Sequence, residues 1–205
     1  YVNFQRRGNL TYQQLSQEFQ EQTRGQLQNA IFYYTRGMWA NASHYIDLCL
    51  MFFGKPEWVW AQESPIPSPY PNDTNATIIL GYPEFHVHLI PLLTPMDSFY
   101  SGDHEFIFEK EKLSIPNLSF YEDDDVRRWV SQKNLLTPIV PDITLHRDQN
   151  DYLPILDRII FDLDRHVIES SLDPMDAVWT VKILELAVRS RQEHCRLEIP
   201  KIISE

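Results

Sequence analysis

Within "GMWANASHYIDLCLMFFG", residues 37 to 54, His44 and Asp47 stand where polar sequence gives way to an almost unbroken apolar run. A histidine in the first turn of a helix lies near unpaired amides and the positive end of the helix dipole, which favours the neutral imidazole that a general base needs. Asn41 and Ser43 keep that end polar, and Asp47 is a ready hydrogen-bond partner for the ring. The plainer alternative is a histidine packed at a helix start with Asp47 as its partner. Arg6 and Arg7, with Tyr33, Tyr34 and Arg36, make a second group. Guanidinium groups at a strand end can bind carboxylate or phosphate through paired hydrogen bonds, and tyrosines suit sugar hydroxyls. Surface ion pairing is the plainer alternative here.

Three further patterns lead to bland readings. In "FHVHLI", His86 and His88 share one strand face at a chelating spacing, but no further ligand completes a site, so no metal is expected. The acidic run "YEDDDVRRW" lacks the glycine and alternating ligands of a calcium loop and reads as solvated. No Gly-x-Ser-x-Gly elbow occurs, and Cys49, inside the apolar run, is a poor nucleophile.

The elements that must carry these residues follow from periodicity. "YVNFQRR" reads as a strand, and "LTYQQLSQEFQEQTRG" as an amphipathic helix stopped by Gly25. "QLQNAIFYYTRG" returns to β character. The helix of the opening stretch is predicted to start at Asn41, whose side chain can cap the first turn, and to stop at Gly54. Short β-like runs follow in "EWVWAQ", "ATIILGY", "FHVHLIPLL", "MDSFYSG" and "HEFIFE", separated by turn-rich segments such as "SPIPSPYPND". The last quarter turns helical. "YLPILDRIIFDLDRHVIES" is amphipathic, and "DPMDAVWTVKILELAVRSRQ" has Asp173 as cap, Pro174 at its first position, and Ala177, Val181, Leu184 and Val188 as the predicted buried face. Strands bracketed by helices imply an α+β, two-layer fold over residues 1–205: a large, open, mostly antiparallel sheet with helices on one face. Alternation puts His86 and His88 opposite Val87 and Leu89, and Trp58 and Trp60 opposite Val59. The uncovered side would then carry apolar surface suited to a second copy of the chain.

Composition narrows the partners. A chain of 205 residues with 43% hydrophobic residues can bury a sizeable core. Its net charge of −11, with no basic stripe, argues against nucleic acid and anionic membrane surfaces. No apolar run approaches the length of a membrane helix, and no secretory signal is visible. Two cysteines, Cys49 and Cys195, fit a reduced, cytoplasmic compartment, and the five N-x-[ST] sequons, at Asn9, Asn41, Asn72, Asn75 and Asn117, read as coincidence. A secreted glycoprotein is the alternative that they favour. The six glycines are scattered singly, so no phosphate-binding glycine loop is present.

"VNFQRR", a helix ending in "RG", a strand ending in "YYTRG", then "NASHYIDLCLMFFG" and finally "DPMDAVWTVKILELAVRSRQEHCRLEIP" occur in an order that resembles the C-terminal part of the glucose-fructose oxidoreductase, inositol dehydrogenase and rhizopine-catabolism (Gfo/Idh/MocA) family. The resemblance implies a substrate-binding and oligomerisation domain of an NAD(P)-dependent oxidoreductase acting on a sugar, nucleotide-sugar or cyclitol hydroxyl. "YVNFQRR" then looks like the last strand of an upstream Rossmann domain, which would hold NAD or NADP, so the 205-residue chain alone is expected to bind no dinucleotide. His44 matches the family's proton-transfer histidine. Many members place an aspartate four residues earlier, where this chain has Ala40, and Asn41 is the candidate orienting group in its stead. Arg6, Arg7, Tyr33, Arg36 and Asp47 complete the candidate substrate contacts. A binding or scaffold module that keeps the fold without catalysis is the alternative that Ala40 favours.

Overall fold

The computed structural model describes residues 5–93, 103–115, 127–132, 135–139 and 174–201. A 3-10 turn over Gln5–Gly8 leads into α1, Leu10–Gln20, whose first turn is capped by the Asn9 side chain accepting from the Thr11 amide at 2.9 Å. The central strand β1 is Leu27–Tyr34. A π-type turn, Met38–Ala42, opens into α2, Ser43–Phe53. Strands β2 (Trp58–Glu63), β3 (Ala76–Gly81), β4 (His86–Pro91), β5 (His104–Phe108), β6 (Glu111–Ile115), β7 (Arg127–Gln132) and β8 (Leu135–Ile139) follow. Helix α3, Pro174–Glu193, and the short β9, Leu197–Glu198, close the described chain.

These strands form one nine-stranded sheet in the order β8-β7-β6-β5-β1-β4-β3-β2-β9. Only β1 and β4 run parallel; every other neighbouring pair is antiparallel. Register and alternation give the sheet two unlike faces. Ala30 and Phe32 lie beside Val87 and Leu89, which lie beside Leu80 and Ile78, and all are buried under the helices. Rings from α1, α2 and β5 close this layer: Phe19 meets Phe52, Phe53 and Phe106 at centroid distances of 5.4, 5.5 and 4.8 Å. The other face carries Trp60, Ile79, His88, Ile31 and Glu105 in one cross-strand row, each half-buried. The expected split of His86 and His88 from Val87 and Leu89, and of Trp58 and Trp60 from Val59, is present. So is the α+β fold with its open sheet.

Four local expectations fail for identifiable reasons. Residues 5–8 form a 3-10 turn rather than a strand, and the turn runs directly into α1 with Asn9 as its cap. Helix α1 stops at Gln20, ahead of Gly25, and the chain turns through Gln22 and Gly25, both with positive φ. Asn41 does not cap α2; it lies inside the π-type turn that leads into the helix, and an aspartate from a distant loop accepts from the first amides of that turn. On α3, Val181 is 48% exposed, and the buried side is Ala177, Thr180, Ile183, Leu184, Ala187 and Ser190. Small polar residues serve there because they find partners. The Ser190 hydroxyl accepts from the Ala61 amide at 3.0 Å, and the Thr180 hydroxyl donates to the Asp176 carbonyl at 3.0 Å. Helix α2 does end at Gly54, where φ is 72°. Cys49 is buried and Cys195 exposed, both as thiols. Asn9 and Asn75 are buried, which closes two sequons to any sugar in the folded chain. "MDSFYSG" and "YLPILDRIIFDLDRHVIES", the cap position Asp173, the acidic run before Arg127 and Asn117 lie outside the described residues.

Candidate functional site

The site is assembled where the Gln5–Gly8 turn meets the start of α2. Gly37, with φ of 104°, turns the chain out of the region after β1 and into the π-type turn. Its missing side chain matters: a Cβ there would sit 2.4 Å from the Asp73 carboxyl carbon. Asp73 uses that space to accept from the Trp39 amide at 2.9 Å and the Ala40 amide at 2.8 Å. The loop before β3 that carries Asp73 is tied down by Asn75, whose amide donates to the Ile66 and Pro67 carbonyls, both at 3.2 Å. Asp73 thus satisfies the first amides of the helical segment and places a negative charge at its positive end. Asp73→Ala is expected to cost about 1–2 kcal/mol, the usual worth of such a cap. Gly37→Ala, which drives a methyl into the same carboxylate, should cost at least as much. Denaturant midpoints check both; an unchanged midpoint for Asp73→Ala would show that water caps the helix as well.

His44, in the first turn of α2, is half-buried, and its pKa falls to about 4, first because burial disfavours the imidazolium and second because the Arg6 charge is near. The ring is therefore neutral across the physiological range and able to accept a proton. Asp47 does not hold it. Asp47 is fully buried and receives Arg7, with Nε at 2.9 Å from both carboxylate oxygens and Nη2 at 2.7 Å from Oδ1. Arg7 also reaches Asp176 in the first turn of α3, Nη1 to Oδ2 at 2.7 Å. Burial alone would lower the Arg7 guanidinium, but the hydrogen bond and charge of Asp47, helped by Asp176, raise it, so it stays charged. Burial pushes the Asp47 carboxyl up to about 6 against the pull of Arg7. The triad fastens the N-terminal turn to both α2 and α3.

Arg6 takes another course. It is half-buried, its guanidinium carbon lies 4.9 Å from the centre of the Tyr45 ring, and its Nη2 is 3.5 Å from the Tyr45 hydroxyl. Beneath Tyr45 lies His104 of β5, whose Nε2 is 2.9 Å from the Tyr12 hydroxyl and whose ring packs at 4.7 Å from Phe32 and 5.5 Å from Tyr45. Full burial, with Arg6 adding to it, lowers His104 to about 3 despite the Asp103 backbone. The unfolded chain takes up this proton near pH 6.5 and the folded chain near 3, so stability is present above 6.5 and is lost as pH falls. By pH 4 the loss through His104 is roughly 3 kcal/mol. Asp47 acts in the opposite sense between about 4 and 6, because its raised pKa lets the fold bind a proton more readily than the unfolded chain does. His104→Gln, which keeps a hydrogen-bond partner for Tyr12, should flatten the loss of stability between pH 6.5 and 4. An unaltered pH profile would place the acid sensitivity elsewhere.

The other anticipated residues are dispersed. Tyr33 lies between the buried Phe32 and Tyr34 on β1 and so faces the open side of the sheet, away from α2; burial, Glu105 and Asp103 raise its hydroxyl. Arg36 is half-buried in the turn before Gly37, with φ of 74°. Asn41 has a buried Oδ1 that accepts no hydrogen bond. The structure thus brings Arg6, Arg7, His44 and Asp47 to one region and leaves Tyr33 on the far face. Tyr45, His104 and Asp73 went unmarked in the sequence, and Asp176 was marked there as part of a helix start and not as a site residue. Only Asp176 carried a signal, as an acid in a first helical turn.

Among the described residues no group of three histidine, cysteine or carboxylate side chains could hold a metal ion, and no helix is long and apolar enough to cross a membrane. Gly25, Gly37 and Gly54 serve turns and helix ends, and Gly81 lies against the Trp58 ring.

No family model matches the chain, and no curated protein matches it. Solved structures do. A proposed NADPH-dependent oxidoreductase from Desulfitobacterium hafniense superposes with a TM-score of 0.77 at 15% identity, over 100% of this chain and 66% of that one. The proposed oxidoreductase yvaA of Bacillus subtilis gives 0.75 at 14% identity, over 97% of this chain and 64% of that one. The WlbA dehydrogenase of Bordetella pertussis, solved with NADH and UDP-GlcNAcA, gives 0.67 at 17% identity, over 98% and 64%. The chain therefore spans about two thirds of the length of these oxidoreductases, and at this identity the likeness establishes a shared fold.

Proposed function

We propose that this chain is the substrate-binding domain of an NAD(P)-dependent oxidoreductase of the Gfo/Idh/MocA type, acting on a sugar, nucleotide-sugar or cyclitol hydroxyl. The observation that carries the reading is His44: a neutral, half-buried imidazole at the start of a buried helix, on a fold shared with oxidoreductases. His44 takes the proton from the substrate hydroxyl, or returns it in the reverse direction. Arg7 and Asp47 act as positioning residues, since each is committed to the other and together they fix α2 against the N-terminal turn. Asn41, whose buried Oδ1 has no hydrogen-bond partner among the described residues, is the candidate orienting group beside His44, and Arg36, in the turn before Gly37, is a further candidate substrate contact. Tyr33 belongs to the opposite face. The dinucleotide accepts or donates the hydride and is held by an upstream Rossmann domain. NADH and a nucleotide sugar acid in the WlbA structure support both choices of ligand.

The open face of the sheet pairs with a second copy of the chain. Trp58, Trp60, Ile79, Ile31 and Ile107, each half-buried, share it with polar His86, His88 and Lys112, and a second copy would cover this apolar row. Ile79→Glu should then yield monomers. Sedimentation of the unaltered chain as a monomer at micromolar concentration would contradict the pairing.

A scaffold without catalysis is the second reading, favoured by Ala40, whose amide is occupied by Asp73 where many family members carry a catalytic aspartate. Turnover assays of His44→Ala in the whole protein separate the two.

A further inference from the structure

Consecutive arginines leave the Gln5–Gly8 turn into unlike surroundings. Arg7 is sealed between Asp47 and Asp176. Arg6 meets no carboxylate among the described residues; its contacts are the Tyr45 ring at 4.9 Å and the Tyr45 hydroxyl at 3.5 Å. A guanidinium carries five donors in a planar fork, and a single hydrogen bond at the outer limit of distance leaves most of them unused. Arg6 is half-buried, so these unused donors stay within reach of an anion arriving from outside. The Tyr45 ring holds the guanidinium, because a cation over an aromatic face is fixed without being neutralised. Tyr45 is also the residue after His44 on α2, and the Arg6 charge lies near enough to act on the His44 ring.

We propose that Arg6 is a carboxylate subsite of this site, so that the substrate is a sugar acid or related polyhydroxy acid whose carboxylate lies close to the reacting hydroxyl, rather than a neutral polyol. The proposal rests on His44 being the proton acceptor. Paired hydrogen bonds from the Arg6 fork fix the acid. Binding has a second effect. Arg6 is one of two causes that hold His44 low, so a carboxylate that neutralises Arg6 makes His44 a stronger base once substrate is in place. A diphosphate, as in a nucleotide sugar, is the other anion the fork could accept.

D-gluconate and D-glucitol differ only in carboxylate against hydroxymethyl at one end, so they isolate the term. Titration of the 205-residue chain with each, followed by calorimetry and by the His44 ring resonances, should show gluconate binding at least about 10-fold more tightly and raising the His44 pKa. Arg6→Gln should abolish that preference, weaken gluconate binding roughly 10- to 100-fold and raise His44 in the unliganded chain. Arg6→Lys, with the charge but not the fork, should fall between. Equal affinity for the two polyols, no saturable gluconate binding, or a preference that survives Arg6→Gln would overturn the subsite. Inorganic phosphate displacing gluconate at equal affinity would assign the fork to phosphate and overturn it too. Arg6-dependent gluconate binding in a whole protein that reduces no nicotinamide would leave the subsite standing while the oxidoreductase reading falls.

Discussion

Replacing His44 by alanine in the whole protein is expected to lower turnover roughly 10²- to 10⁴-fold, the usual worth of a positioned general base, with the fold intact. The fold should survive because His44 is half-buried at a helix start, while the packing of α2 rests on Tyr45, Ile46, Leu48, Cys49 and Phe52. The pH profile carries a sharper signature. A base works deprotonated, and His44 of the free protein takes up its proton only near pH 4, so the acid limb of kcat/KM should lie near 4 rather than at the ordinary imidazole value of 6.5. Arg6→Gln should move that limb upward, because it removes one of the two causes that hold the pKa down. Turnover unchanged in a well-folded His44→Ala protein would make the histidine a packing residue.

Breaking the buried triad should give the largest loss of stability. Arg7→Met leaves Asp47, 1% exposed at its side chain, without its cation, and removing one member of a buried pair costs about 3–5 kcal/mol. For a chain of this size that lowers the melting temperature on the order of 10 °C. The double variant Arg7→Met/Asp47→Leu should regain most of the loss, since an apolar pair of similar volume leaves no buried charge behind. Asp176 tolerates the change because its side chain is 34% exposed and can turn to water. Thermal denaturation of the three proteins checks the cycle. A loss below about 1 kcal/mol for Arg7→Met would mean that water reaches Asp47 and that the triad does not fasten the helices.

The sequence was legible where a period of two or a glycine decides the structure. Trp58-Val59-Trp60 and His86 to Ile90 alternate strongly enough to assign both faces of the sheet, and Gly54 marks the end of α2 because the chain needs positive φ there. It misled where a partner comes from far along the chain. The cap on the π-type turn that leads into α2 is Asp73, 33 residues beyond Ala40, and only the folded loop pinned by Asn75 brings it there. Arg7 and Asp47 are 40 residues apart and Arg7 and Asp176 are 169, so a substrate contact and an internal ion pair look alike in sequence. On α3 the apolar residues were assigned to the core, yet Thr180 and Ser190 are buried in place of Val181 because each hydroxyl finds a backbone partner. His44 could be singled out because its type, its place at a helix start and its polar neighbours agree. Its dependence on Arg6 could not, since that follows from the Gln5–Gly8 turn replacing the anticipated strand.

The most direct test of the oxidoreductase reading is nicotinamide absorbance in the whole protein, mixed with NAD⁺ or NADP⁺ and a panel of sugar acids, nucleotide sugars and cyclitols. The account predicts reduction with at least one substrate, lost in His44→Ala. A whole protein that binds no dinucleotide and reduces none with any member of the panel would contradict it.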